Sequence, residues 1–141
     1  MASLSNLGAN EEYIEVYMEK TEIPFLTATE LAELIKSREV SPVEAAQAYL
    51  DRIDAVDNQL NSYITVCWEE ALAEARSAEE QIAAGNYRGP MHGIPVGVKD
   101  QFNTKGILTT GGSSILKDFL PDEDSTVVSK LKNAGAVILG K

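Results

Sequence analysis

A strand, helix, strand succession in the last third of the chain constrains the fold most strongly. An apolar strand within residues 91–106 ends at Lys99. A helix then begins near Asp124, with Val127, Val128 and Leu131 on its apolar face, and Gly135 ends it. Ala136 to Leu139 follows as an apolar run of strand length, the pattern of a buried strand. Two strands joined by a crossover helix pair in parallel. The expected class is therefore α/β, with helices covering a mixed or mostly parallel sheet.

The first of these strands delivers a lysine to its end, in the sequence MHGIPVGVKDQFNTKG. Alternation puts Val96 and Val98 on one face with Asp100, and Pro95, Gly97 and Lys99 on the other. Gly97 has no side chain, so a backbone or a ligand can come close to the ammonium. Taking a lysine out of water disfavours its charged form and can make it a general base. The competing reading is a surface lysine whose stem covers apolar atoms while its head stays in water. Asp100 is expected to fix the following turn rather than to join any chemistry.

Upstream the sequence reads as helical. Thr27 and Glu30 form a capping box ahead of Leu31, Leu34 and Ile35. Ser41, Pro42 and Glu44 give a second start signal, for a helix running toward Ile53 that buries Ala45, Ala46, Tyr49 and Leu50. Residues 63–66 read as a short strand. A third helix, from about Trp68 to Ala84, places Leu72, Ala75 and Ile82 inward and ends at Gly85 as a left-handed cap. Residues 1–10 read as a loose lead, and 12–20 as a short polar helix with Tyr13, Val16 and Tyr17 on one side, either solvated or a partner contact.

Composition narrows the function classes. With 22 acidic against 12 basic residues the net charge is −10, so the chain as a whole repels nucleic-acid phosphates, and no nucleic-acid partner is expected. The single cysteine, Cys67, cannot form an internal disulfide and reads as a packed apolar residue. No cluster of Cys and His has metal-ligand spacing, and neither a metal nor another cofactor is indicated. The one histidine, His92, precedes Gly93 at the mouth of the lysine strand. No apolar run approaches a membrane span and the N-terminus is unlike a secretion signal, so a cytoplasmic chain without membrane contact is the expectation.

Residues 89–141 resemble the amidase signature family. GPMHGIPVGVKD, TTGGSS and DSTVVSKLKNAGAVILGK carry the resemblance together, in order and spacing. The helical stretch from about Ala28 to Gln81 is also similar to the family's N-terminal region, whereas the residues up to about Pro24 lack a counterpart. On this basis residues 1–24 are an N-terminal extension or short helix, and 25–141 the N-terminal portion of an amidase signature domain.

The resemblance implies a triad of serine, cis-serine and lysine that cleaves a carboxylic amide through an acyl-serine intermediate, with Lys99 as the matching lysine and general base. The nucleophilic and bridging serines belong to a glycine- and serine-rich segment that follows the GAVILGK strand. The chain stops at Lys141, before that segment, so it is expected to be inactive alone. The run Gly111-Gly112-Ser113-Ser114 stands too soon after Lys99 to be that segment. Its glycines read as turn formers, with Thr110, Gly112 and Ser113 as candidates for lining the site. The expected partners are a small-molecule amide and either a homo-oligomer or a complementing C-terminal chain, drawn to an exposed apolar edge at 137–139. Two alternatives stand beside the hydrolase: an amidotransferase subunit releasing ammonia from glutamine, and an inactive fragment or binding piece.

Overall fold

Helix-starting chemistry shapes the first half of the chain in a computed structural model that describes residues 20–141. Ile23–Phe25 forms a short 3-10 turn that buries Ile23, and α1 follows at Ala28–Ser37. Its capping box is present: Thr27 Oγ1 accepts from the Glu30 N–H at 3.2 Å, and the Glu30 carboxylate accepts from the Thr27 N–H at 2.8 Å. α2, Pro42–Leu60, starts the same way through Ser41 and Glu44. It runs beyond Ile53 to a left-handed Asn61, where the Asp57 carboxylate accepts from the Ser62 N–H at 2.8 Å and closes the end. The short helix expected over 12–20 lies outside the described residues except for Lys20.

α3, Trp68–Ala83, packs on α2 through small residues. Ala46, Ala71 and Ala75 are fully buried, so the two backbones approach closely while Leu50 fills the space beneath. Leu72 and Tyr49, expected inside, are only half-buried at the margin of this cluster. Gly85 (φ +86°) follows the helix in the left-handed conformation.

The sheet has the expected parallel pairing. β1, Pro95–Gly97, pairs with β2, Val137–Gly140, in the register Pro95↔Val137 and Val96↔Ile138, with an irregularity before Gly97↔Gly140. α4, Thr126–Asn133, makes the crossover. Val137 and Leu139 face α2 and α3, while Ile138 points to the other side with Val98 and Val128. The strands are thus covered on both faces, which is why β2 is apolar at successive positions. Val127, expected on the apolar face of α4, is 42% exposed, because Val128 takes the buried position.

Two expectations need correction. Residues 63–66 do not form a strand. Val66 makes an isolated antiparallel bridge to Gly140, and the backbone of 64–67 bonds to Leu139 and Lys141. The exposed apolar edge expected at 137–139 is also absent. Those side chains are at most 2% exposed, and the edge away from β1 is occupied by residues 64–67 and by Glu74, whose carboxylate accepts from the Ile138 N–H at 2.9 Å. Among the described residues the most exposed large apolar side chains are instead Phe25, Leu60, Ile64, Ile115 and Leu120.

Candidate active site

The alternation read from the sequence holds along β1 and just beyond it. Val98 and Asp100 are buried, whereas Gly97 and Lys99 are exposed. Lys99 therefore stands on the open face, at the edge of a cavity of about 520 Å³ lined by Tyr63, Gly97, Lys99, Gly111, Gly112 and Lys141 among others. This is the size of a small-molecule site. Burial of Lys99 is not supplied by the described residues, and the lysine makes no ion pair among them. The lack of a side chain at Gly97 lets Tyr63, rather than empty space, stand against the strand. A Cβ built there would stand 2.8 Å from the Tyr63 hydroxyl, so the tyrosine occupies the space a side chain at 97 would need.

Asp100 is structural, as expected, but its carboxylate holds Thr110, ten residues on, rather than the turn directly after it, and it also lines the cavity. The Thr110 N–H donates to its two carboxylate oxygens at 3.2 and 3.0 Å, and the Thr110 hydroxyl donates to Oδ2. The Gly111 N–H donates to the Asp100 carbonyl at 2.9 Å. These bonds tie both ends of the segment 100–111 together, although the segment contains no strand or helix.

The three secondary candidates separate. Gly112 lines the cavity in the left-handed conformation (φ +70°) beside Gly111 (φ +59°). Thr110 is not among the cavity residues: it is buried and committed to Asp100, and its Oγ1 also accepts from the Gly112 N–H at 3.0 Å, so it supports the wall from behind and offers no free hydroxyl. Ser113 is not among the cavity residues. Its Oγ accepts from the Ile115 N–H at 3.3 Å and caps the short turn Ser114–Leu116.

Two cavity residues escaped the sequence reading. Tyr63 arrives because Asp57 accepts from the Ser62 and Tyr63 N–H groups and turns the chain back toward β1. Burial, then the Asp57 and Tyr49 charges, raise its phenol above the ordinary value. Lys141 is 4% exposed, and its ammonium donates to the Phe102 carbonyl, Thr104 Oγ1 (3.0 Å) and Thr109 Oγ1 (2.6 Å). Burial lowers its pKa, opposed by the nearby Asp100 and Asp124 charges. A glycine followed by a lysine at the end of an apolar strand is the signal that repeats between Gly97–Lys99 and Gly140–Lys141.

His92 and Cys67 stand apart from Lys99. His92 is 1% exposed, stacks on Tyr87 at 6.0 Å, and its Nδ1 accepts from the Arg88 N–H at 3.1 Å. The left-handed Gly135 (φ +86°) packs on the imidazole, leaving no room for a Cβ. Cys67 is buried ahead of α3, and burial pushes its thiol up to about 11, the opposite of an activated nucleophile. Among the described residues, no group of three or more His, Cys, Asp and Glu side chains could hold a metal ion, and no helix is long and apolar enough to cross a membrane.

A protein-family profile described as Amidase matches residues 44–141. The chain is 58% identical over 120 residues to a glutamyl-tRNA(Gln) amidotransferase subunit of Geobacter sp. (strain M21), a match covering 85% of this chain and 24% of that protein. It is 45% identical to the putative amidase AmiD of Mycobacterium bovis, covering 88% of this chain and 26% of that one. The native peptide amidase from Stenotrophomonas maltophilia superposes with a TM-score of 0.79 at 36% identity, over 84% of this chain and 25% of that one. The chain thus spans about a quarter of the length of the relatives it matches.

Proposed function

The chain belongs to the amidase family, and from that premise we propose that it supplies the general base of an enzyme that cleaves carboxylic amide C–N bonds through an acyl-serine. In this reading residues 25–141 are the first portion of the catalytic domain, 1–24 are an extension, and the two serines come from residues outside these 141. Neutral Lys99 draws a proton, through the bridging serine, from the nucleophilic serine as it attacks the amide carbonyl. Backbone N–H groups stabilise the oxyanion. The proton then passes to the departing amine, and water cleaves the ester by the same route.

The observation that carries this reading is the place of Lys99, at the end of β1 on the open face beside Gly97, with its amine free at a cavity. The other lysine of the cavity is placed differently. All three N–H groups of Lys141 already have acceptors, so its amine is not free to meet a serine.

The substrate defines a second reading. The 58% identity to part of a glutamyl-tRNA(Gln) amidotransferase favours release of ammonia from a glutamine side chain, with other subunits receiving it. The same Lys99 chemistry serves both. With a net charge of −10, these 141 residues as a whole repel an RNA backbone, so an RNA contact falls outside them.

The test joins or mixes this chain with the remaining three quarters of a family member, and assays glutamine and simple aliphatic and aromatic amides. Lys99→Ala should fold normally and lower acylation by roughly 10²- to 10⁴-fold, the loss expected for a positioned general base. Lys99→Arg should not restore it, because guanidinium does not release its proton. Lys105→Ala and Lys117→Ala, on the surface outside the cavity, should match the unmodified protein. Full turnover by Lys99→Ala would remove the reading; glutamine turnover without simple amide turnover would select the amidotransferase.

A further inference from the structure

We infer that Lys141 is a positioning residue of this site: its buried ammonium clamps residues 102–109 and so holds Gly111 and Gly112 in the cavity wall that Lys99 shares. The inference rests on the catalytic reading of Lys99 for its functional consequence.

Three features carry it. The anchor is rigid. The backbone of Lys141 is fastened by Thr65, whose carbonyl accepts from the Lys141 N–H at 2.8 Å, and by the Ile64 and Thr65 N–H groups, which donate to the Lys141 carbonyl at 2.6 and 3.0 Å. The acceptors are oriented. The Thr104 hydroxyl donates to the Phe102 carbonyl at 3.1 Å and the Thr109 hydroxyl to the Ile107 carbonyl at 3.0 Å, so both threonines turn lone pairs toward the ammonium. The clamped segment has no regular structure and is otherwise held by the Asp100 latch at its end and by bonds at separate points, among them the Lys105 N–H to Asp124 at 2.7 Å, the Gly106 N–H to the Pro121 carbonyl at 2.9 Å and the Thr109 N–H to the Phe119 carbonyl at 3.0 Å, whereas the Lys141 ammonium joins three of its residues at one point.

An ammonium meets these three acceptors at once, whereas an apolar side chain of equal length leaves two hydroxyls and a carbonyl without it. Thr104 and Thr109 are at most 3% exposed, so water does not readily take its place. The expected consequence is a loosened loop next to Lys99 in an otherwise intact protein.

Amide hydrogen exchange on the 141-residue chain tests the clamp. In Lys141→Met, the Ile107, Thr109 and Thr110 amides should exchange about 10-fold faster or more, the factor for losing one hydrogen bond to a charged group. Amides in α2 and α3 should keep their rates. Thr109→Val should move the same loop amides in the same direction by less, and it decides the matter if Lys141→Met does not fold. In the completed enzyme Lys141→Met should lower kcat by about 10- to 100-fold, the scale of a small misplacement, with KM nearly unchanged. Unchanged loop exchange in a folded variant, or an unchanged kcat, overturns the inference. These outcomes are distinct from a failure of the catalytic reading, which shows as turnover by Lys99→Ala.

Discussion

Asp100→Ala should destabilise the chain by about 3 kcal/mol without touching its hydrophobic core. The side chain is 8% exposed and accepts from the Thr110 N–H and the Thr110 hydroxyl, and Thr110 is itself 8% exposed. Removing the carboxylate strands a buried N–H, at about 1–3 kcal/mol, and forfeits a charge-assisted bond from the hydroxyl, worth about 1.5–3 kcal/mol before it finds another acceptor. Some reorientation of the hydroxyl brings the sum to about 3 kcal/mol. At roughly 2.1 cal/mol/K of unfolding entropy per residue, that is a fall in Tm on the order of 10 °C. Thr110→Val removes only the hydroxyl, and should cost about 1–2 kcal/mol. The double mutant should cost less than the sum of the two, with a coupling of about 1 kcal/mol or more, because both changes break the same bond. Urea unfolding of the four proteins measures all three quantities. A loss under ~0.5 kcal/mol for Asp100→Ala, or strict additivity, would refute the latch.

Gly97→Ala should change stability little: the residue is exposed, and the added methyl meets the end of the Tyr63 side chain, which can shift by a few tenths of an ångström. Turnover of the completed enzyme should nevertheless fall, and Gly97→Ala/Tyr63→Phe should recover part of it; an unchanged turnover in Gly97→Ala would show that Tyr63 does not share the space used by substrate. Burial, then the Arg88 charge, lowers the His92 pKa below its ordinary 6.5, so folding stability should be present above that value and lost as pH falls through the folded-state pKa. Urea midpoints between pH 8 and pH 4 test this, and His92→Gln should flatten the dependence; an identical slope in the variant would assign it elsewhere. The chain alone should resist a fluorophosphonate serine probe, since Ser113 Oγ is engaged in its turn and absent from the Lys99 cavity; stoichiometric labelling at Ser113 or Ser114 would contradict this.

Local signals in the sequence were legible where one short stretch contains the whole cause. Both capping boxes are complete within four residues, and each formed. The period-2 alternation from Val96 to Asp100 correctly divided the latch face from the open face. What was not legible depends on distant partners. Residues 63–66 carry a strand-like composition, yet only one bridge forms, because the chain enters α3 at Trp68 directly after crossing Gly140. The edge of β2 looked available because nothing local shows that Glu74, 64 residues earlier, caps the Ile138 N–H. Lys141 went unread for a similar reason: its meaning lies in two threonine hydroxyls more than thirty residues away.

The two lysines of the cavity stand in opposite surroundings. Lys141 is enclosed by lone pairs that occupy all three of its N–H groups, even though burial lowers its pKa. Lys99 has no such acceptors among the described residues, and its neighbour Gly97 contributes no bulk. Removing water around a lysine disfavours its charged form, unless a negative charge takes the water's place. In the proposed role of Lys99, the completing segment should bring apolar cover and the bridging serine rather than carboxylates to it. Ile64, 56% exposed on the cavity wall, and Leu116, 43% exposed beside Gly111, form an apolar rim where that cover can seat. A completing segment that instead placed an aspartate or glutamate against Lys99 would stabilise its ammonium and defeat the proposed base, so the chemistry required of Lys99 also limits what can close the cavity over it.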